Sequence, residues 1–290
     1  MYESHFNLIV KPFSLSPDPK FLYLGKRHSQ AYAMLEYSIK EHVGFAVVTG
    51  EVGAGKTTLI RKLLTEFDDA DNVALVSHTH QNLTKLIPCV LDAFCILADE
   101  IPEDESKQYR FFVDFLITQY TKGRRSILII DEAQNLCIEA LEQLRLLSNV
   151  NVDGHLLLQT LLIGQPELRD KLRRPELHQF AQRISVDFFL PKLSQNESIE
   201  YIDHRLMVAG GEACIFETNA KVIIAHAAKG LPRMINNLCD MALVYAFGDS
   251  KCIVDIDVVL DVLKDKEETG IFPLASISEL DGMFEKIACN

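Results

Sequence analysis

Between about residues 45 and 190, short apolar runs rich in β-branched residues alternate with stretches whose apolar positions recur at helical spacing. The runs are "GFAVVT", "NVALVS", "SILIID", "LLLQTLLIG" and "ISVDFFL". Such alternation predicts an α/β fold with a parallel sheet and crossover helices, and five runs predict a five-stranded sheet. From Pro191 the β pattern fades. "NESIEYIDHRLMVAG", "TNAKVIIAHAAKG" and "LPRMINNLCDMALVYAFG" read as successive helices punctuated by Gly and Pro, an all-helical C-terminal domain. The expected division is an N-terminal segment and helix over 1–44, an α/β core over 45–190, a helical lid over 191–268 and a tail over 269–290.

Pro12, Pro17 and Pro19 make the start of the chain extended and turn-like, and "HSQAYAMLEYSIKEH" predicts a helix after it. In the tail, Leu280, Met283, Phe284 and Ile287 share one helical face behind a capping-box pattern from Ser276 to Glu279. That face could dock on its own chain or on another. No internal repeat or low-complexity tract interrupts the pattern.

The apolar share of 48% over 290 residues is enough for two cored domains. Lys and Arg number 29 against 41 for Asp and Glu, so the net charge of −12 supplies no global attraction to nucleic acid or anionic lipid. The cysteines, at 89, 95, 137, 214, 239, 252 and 289, form no CxxC pair and are odd in number, which predicts mostly buried thiols in a reducing compartment. No apolar run approaches the ~18 residues of a membrane span, and the N-terminus does not have the pattern of a secretory signal. A cytoplasmic protein is expected, peripheral at the inner membrane only through a partner.

The chemistry concentrates in two places. Gly50, Glu51, Val52, Gly53, Ala54, Gly55, Lys56 and Thr57, followed by Thr58, satisfy G-x-x-x-x-G-K-[ST]. In that pattern the glycines let backbone N–H groups turn inward around phosphates, the next helix aims its N-terminus at them, and Lys56 reaches the β and γ oxygens. Thr57 is placed to give its hydroxyl to Mg²⁺. The second place is Asp131-Glu132, at the end of the apolar Ile127 to Ile130. A buried strand delivers Asp131 to its C-terminal edge to hold Mg²⁺ through water, with Glu132 beside it to polarise an attacking water. His78 and His80 in "VSHTH" lie on one side of a strand end. Two ligands without a third do not make a metal site.

These motifs, with "KPFSLSPDPKFLYL", "DEAQNL", "LRLLSN", "IGQPELR", "QRI" and "GLPRMINNLCD", resemble the AAA+ P-loop ATPases and, more closely, the general secretion pathway protein A family. The matching stretches spread over most of the chain. The resemblance implies roles for further residues. Gln165 matches the sensor-1 polar residue that orients the lytic water, the alternative being a turn residue before Pro166. Arg233 matches the sensor-2 arginine of the lid, the alternative being an exposed arginine in a surface ion pair. Arg183 stands where such proteins carry an arginine finger that enters a neighbour's site, with Arg173 and Arg174 as rivals. Pro12, Phe13 and Phe21 match an N-terminal motif that could wall the adenine or belong to the core.

By the same resemblance the protein is expected to be a Mg²⁺-dependent ATPase, with ATP preferred over GTP because no N-K-x-D motif is present. It would self-associate with ATP as a ring or filament-like homo-oligomer and serve a membrane-associated partner in secretion, type IV pilus biogenesis or exopolysaccharide export. Many such family members carry a membrane span and a peptidoglycan-binding region after the ATPase. These 290 residues contain neither, so a short cytoplasmic form is expected. The rival reading is an ATP-dependent DNA-binding regulator of the transposon target-selection type, for which "KGRRS" and "RDKLRR" could meet phosphates. Net acidity disfavours it.

Overall fold

The computed structural model describes residues 1–68, 70–77, 86–96, 101–102 and 104–269. His78, His80 and the expected tail helix lie outside the described residues. The strands are β1 (Phe45–Gly50), β2 (Asp71–Val76), β3 (Arg125–Ile130), β4 (Asn151–Val152), β5 (His155–Leu156), β6 (Leu158–Gly164) and β7 (Ile184–Leu190). The α-helices are α1 (Lys26–Lys40), α2 (Lys56–Leu64), α3 (Leu86–Ala93), α4 (Glu105–Thr121), α5 (Ile138–Leu147), α6 (Pro166–Leu172), α7 (His178–Ala181), α8 (Gln195–Val208), α9 (Thr218–Ala227), α10 (Pro232–Gly248) and α11 (Ile256–Thr269).

The described residues group into two compact units, one holding 27–50 and 62–190, the other 1–26, 51–61 and the chain from Pro191 on. This grouping cuts across the linear division expected from the sequence. The first 26 residues do not stand apart but pack with the C-terminal helices.

In the first unit, five parallel strands run in the order β2-β3-β6-β1-β7. The continuous apolar runs follow from burial on both faces, which a parallel sheet covered by helices requires. Ile127, Leu128, Ile129 and Ile130 are all fully buried, each such side chain contributing about 1.5–3 kcal/mol relative to exposure. Because the strands are parallel, β1, β3 and β6 end at the same edge, the edge where open α/β sheets bind ligands.

The run "LLLQTLLIG" is not one strand. Leu156 belongs to the hairpin β4–β5, and β6 begins at Leu158. Asp153 and Gly154 turn that hairpin at φ 52° and 81°, the positive angles of a type I′ turn for which Asp-Gly is suited. Its signal in the sequence is the Asp-Gly pair of "NVDGH".

The second unit has its own core. Leu206, Ile224, Ile235, Leu243 and Val259 from α8 to α11 pack with Tyr2, Phe6, Leu8, Phe13 and Phe21 of the N-terminal segment. Helix α8 starts on a full capping box, with Ser194 Oγ accepting from Glu197 N–H and the Glu197 carboxylate from Ser194 N–H. Arg205, 6% exposed, donates to the carbonyls of Pro12 (2.6 Å) and Ser14 (3.1 Å) and stands over the Phe21 ring. These bonds neutralise the cost of burying a guanidinium and tie residues 12–14 to α8.

Candidate nucleotide site

In the second unit, the loop after β1 passes into α2 at Lys56. Gly53 and Gly55 have φ of 81° and 96°, which a residue with a Cβ adopts only under strain. Lys56 is 6% exposed, and its Nζ donates to the Glu51 carbonyl at 2.9 Å. The ammonium is thus drawn back over the loop at the N-terminus of a helix, a place that favours anions.

Arg233 belongs to the same unit, one residue inside α10. Its backbone N–H donates to the Gly53 carbonyl at 3.3 Å, and a Cβ on Gly53 would come within 2.7 Å of Arg233 Cβ. Structure therefore brings Arg233 onto the phosphate-loop backbone. Its side chain is exposed.

In the first unit, β3 delivers Asp131 at its end, 6% exposed. The Asp131 N–H donates to the Val76 carbonyl at 2.9 Å, and Asp131 Oδ1 accepts the Glu132 N–H at 2.9 Å. Glu132 sits in the left-handed region, φ 55° and ψ 36°, ahead of a single 3₁₀ turn, Ala133–Asn135. Gln165, the residue after β6, donates its Nε2 to Glu132 Oε2 at 2.9 Å. Gln134 Nε2 donates to the same oxygen, while Gln134 Oε1 accepts the Gln165 backbone N–H at 2.9 Å.

Helix α6 braces this turn from its other end. Lys171 Nζ donates to the carbonyls of Gln134 (2.5 Å) and Leu136 (2.6 Å). Burial and the neighbouring Arg174 charge lower its pKa from the ordinary lysine value. The parts of Gln134 and Lys171 are not legible in the sequence, because they depend on the fold bringing these side chains to the turn after β3.

The remaining residues are placed differently. Arg183 donates to Ser148 Oγ at 2.8 Å, to Asn149 Oδ1 and to the Arg145 carbonyl. It clasps the C-terminal end of α5 within its own unit. Arg173 and Arg174 are exposed just past α6, and Arg173 lies 3.6 Å from Asp170. Phe13 is 1% exposed, edge to face with Phe216 in the helical core. Its ring is packing rather than a surface on which a base could stack, and Pro12 is buried beside it. Phe21 lies under Arg205.

Thr57 and Asp131 offer hard oxygen donors, the chemistry Mg²⁺ requires. The loop offers backbone N–H groups, a helix N-terminus and an ammonium, the chemistry a polyphosphate requires. The residues therefore fit both groups.

Fold and motifs together define a AAA+ P-loop protein. A family model described as an AAA domain matches residues 39–172. Within that class the chain is similar to general secretion pathway protein A. General secretion pathway protein A of Aeromonas hydrophila is 40% identical over 265 residues, which make up 90% of this chain and 48% of the relative. The chain thus spans about half that relative's length. Among solved structures, the Aeropyrum pernix ORC2 protein (ADPNP-ADP complexes) aligns with TM-score 0.68 and 19% identity over 88% of this chain and 71% of its own. Cdc6p from Pyrobaculum aerophilum aligns with TM-score 0.69 and 16% identity, covering 89% and 72%. A Thermotoga maritima RuvB mutant aligns with TM-score 0.57 and 17% identity, covering 92% and 77%. These likenesses show the fold. No described helix is long and apolar enough to cross a membrane.

Proposed function

We propose that this protein hydrolyses ATP with Mg²⁺ and uses the cycle to assemble or remodel a cell-envelope machine for secretion, pilus biogenesis or polysaccharide export. One observation carries the hydrolytic part: Glu132, at the end of a buried strand, has its carboxylate held by Gln165 at 2.9 Å. A binding-only module has no use for a carboxylate fixed in a strained backbone turn. The envelope part rests on the identity to general secretion pathway protein A.

In this reading the loop N–H groups and Lys56 bind the β and γ phosphates. Thr57 and Asp131 are the residues that would hold Mg²⁺, whose charge would offset that of the phosphates. Glu132 takes a proton from water as its oxygen bonds to the γ-phosphorus and the bond to the β–γ bridging oxygen breaks. Gln165 keeps that carboxylate aimed. Arg233 stabilises the γ-phosphate and reports its loss, and an arginine from a neighbouring copy, drawn from Arg173, Arg174 and Arg183, completes the site.

The test is steady-state ATP turnover against protein concentration, for wild type and Glu132→Gln, with and without duplex DNA. Turnover that climbs with concentration, ignores DNA and collapses in Glu132→Gln supports the reading. Equal turnover by the two proteins would remove Glu132 from its role, and strong stimulation by DNA would replace the envelope reading with the DNA-regulator one.

A further inference from the structure

We propose that Gln134 is a positioning residue for the hydrolytic step, holding Glu132 in the orientation from which it takes the proton of the attacking water. The inference rests on the ATPase reading above and adds a residue to it. Its basis is the arrangement of three side chains. Two amides, Gln134 Nε2 and Gln165 Nε2, converge on one carboxylate oxygen, Glu132 Oε2. The same Gln134 side chain also closes the loop between its partners, because its Oε1 accepts the backbone N–H of Gln165 at 2.9 Å. One amide group thus fixes the glutamate and the residue that shares it.

The surroundings are arranged around that amide. Gly164, the last residue of β6, leaves the room it needs, since a Cβ there would stand 3.0 Å from Gln134 Oε1 and 2.8 Å from Leu168 Cδ2. Lys171 Nζ fixes the Gln134 backbone by donating to its carbonyl at 2.5 Å. Glu132 enters the turn at φ 55°, a conformation that strains a non-glycine residue and persists where neighbours over-determine it. Gln134, Gln165 and the Asp131 carboxylate that accepts the Glu132 N–H supply that determination. A carboxylate with three rotatable bonds loses aim readily, and misplacing a reacting group by about 1 Å can cost up to about 100-fold in rate.

The step requires a donor at this position as well as a filled volume, so Gln134→Glu separates the two. A glutamate keeps the shape and the oxygen that receives the Gln165 N–H, removes the donor to Glu132, and sets a second carboxylate against the first. The experiment measures kcat and KM for ATP for wild type, Glu132→Gln, Gln134→Ala and Gln134→Glu, with thermal melts as a check on folding.

Gln134→Ala is expected to lower kcat roughly tenfold with KM unchanged. Gln134→Glu is expected to lower it further, again with KM unchanged. A wild-type kcat in Gln134→Glu would overturn the proposal, as would a loss seen only in KM. Should the alanine variant fail to fold, the isosteric glutamate variant carries the test. Wild-type turnover in Glu132→Gln would instead overturn the underlying assignment of the base, a result distinct from any failure at Gln134.

Discussion

The backbone N–H of Arg233 donates to the carbonyl of Gly53 at 3.3 Å, so the start of α10 lies directly on the phosphate loop. A methyl group at Gly53 would meet Arg233 Cβ at 2.7 Å and would have to adopt φ 81°. Gly53→Ala combines a steric conflict with left-handed backbone strain of about 1–2 kcal/mol. The expected outcome is weaker nucleotide binding together with a lower melting temperature. Titration with a fluorescent ATP analogue and a thermal melt measure the two. Undiminished affinity would mean that the loop and α10 rearrange without penalty.

Lys56→Ala removes the loop's only ammonium, the group that donates to the Glu51 carbonyl. Losing a charge-assisted bond to phosphate of about 1.5–3 kcal/mol weakens ATP binding roughly 10- to 100-fold. Glu132→Gln preserves shape and binding but cannot take a proton, so turnover falls by about 100-fold or more. Equilibrium binding and steady-state turnover on the same two variants separate the roles. Tight ATP binding by Lys56→Ala would exclude the Lys56 ammonium from phosphate recognition.

Much of this was legible from residues alone. The five sheet runs could be read because a doubly covered parallel strand is apolar throughout, and "SILII" has no amphipathic alternation to obscure it. The loop could be read because its chemistry is local to eight residues. The resemblance linked Gln165 to the water that Glu132 would polarise, but the part of Gln134 could not be read, since sheet order β3-β6 is what lets one side chain reach both residues. The hidden strand break at Leu157 also escaped, because apolar residues continue across it while only the Asp-Gly turn marks the hairpin. Phe13 matches a motif and sits in the core, and burial of an aromatic ring in a helical unit leaves no trace in the spacing of its neighbours.

Arg183 makes three bonds to the end of α5, through Ser148, Asn149 and the Arg145 carbonyl. Its removal therefore has a cost that does not depend on a neighbouring copy. Arg183→Ala is expected to lose about 1–2 kcal/mol of stability, the scale of hydrogen bonds from a partly exposed cation. Arg174→Ala, at an exposed position, is expected to leave stability within about 0.5 kcal/mol. Denaturant unfolding distinguishes them. If Arg174→Ala then loses turnover and regains some on mixing with Lys56→Ala, the trans arginine is Arg174, whereas rescue confined to Arg183→Ala would assign it to Arg183.

Two tyrosines give the helical unit a pH dependence. Tyr2 donates to Asp240 and Tyr23 to Glu200, fastening the N-terminal segment to α10 and α8. Burial, then the hydrogen bond to a carboxylate, raises both phenol pKa values above the ordinary 10.0. A raised folded-state pKa means that the folded form holds its protons more tightly than the unfolded form. The stabilisation is complete below pH ~10 and is lost as pH rises above it. Melting temperature is therefore expected to fall between about pH 9.5 and 11 in excess of the fall in Tyr2→Phe/Tyr23→Phe. That double variant starts lower at pH 8, because Asp240 and Glu200 lose their donors, and declines less steeply. Coincident curves for the two proteins would show that the phenols contribute nothing to attaching the N-terminal segment.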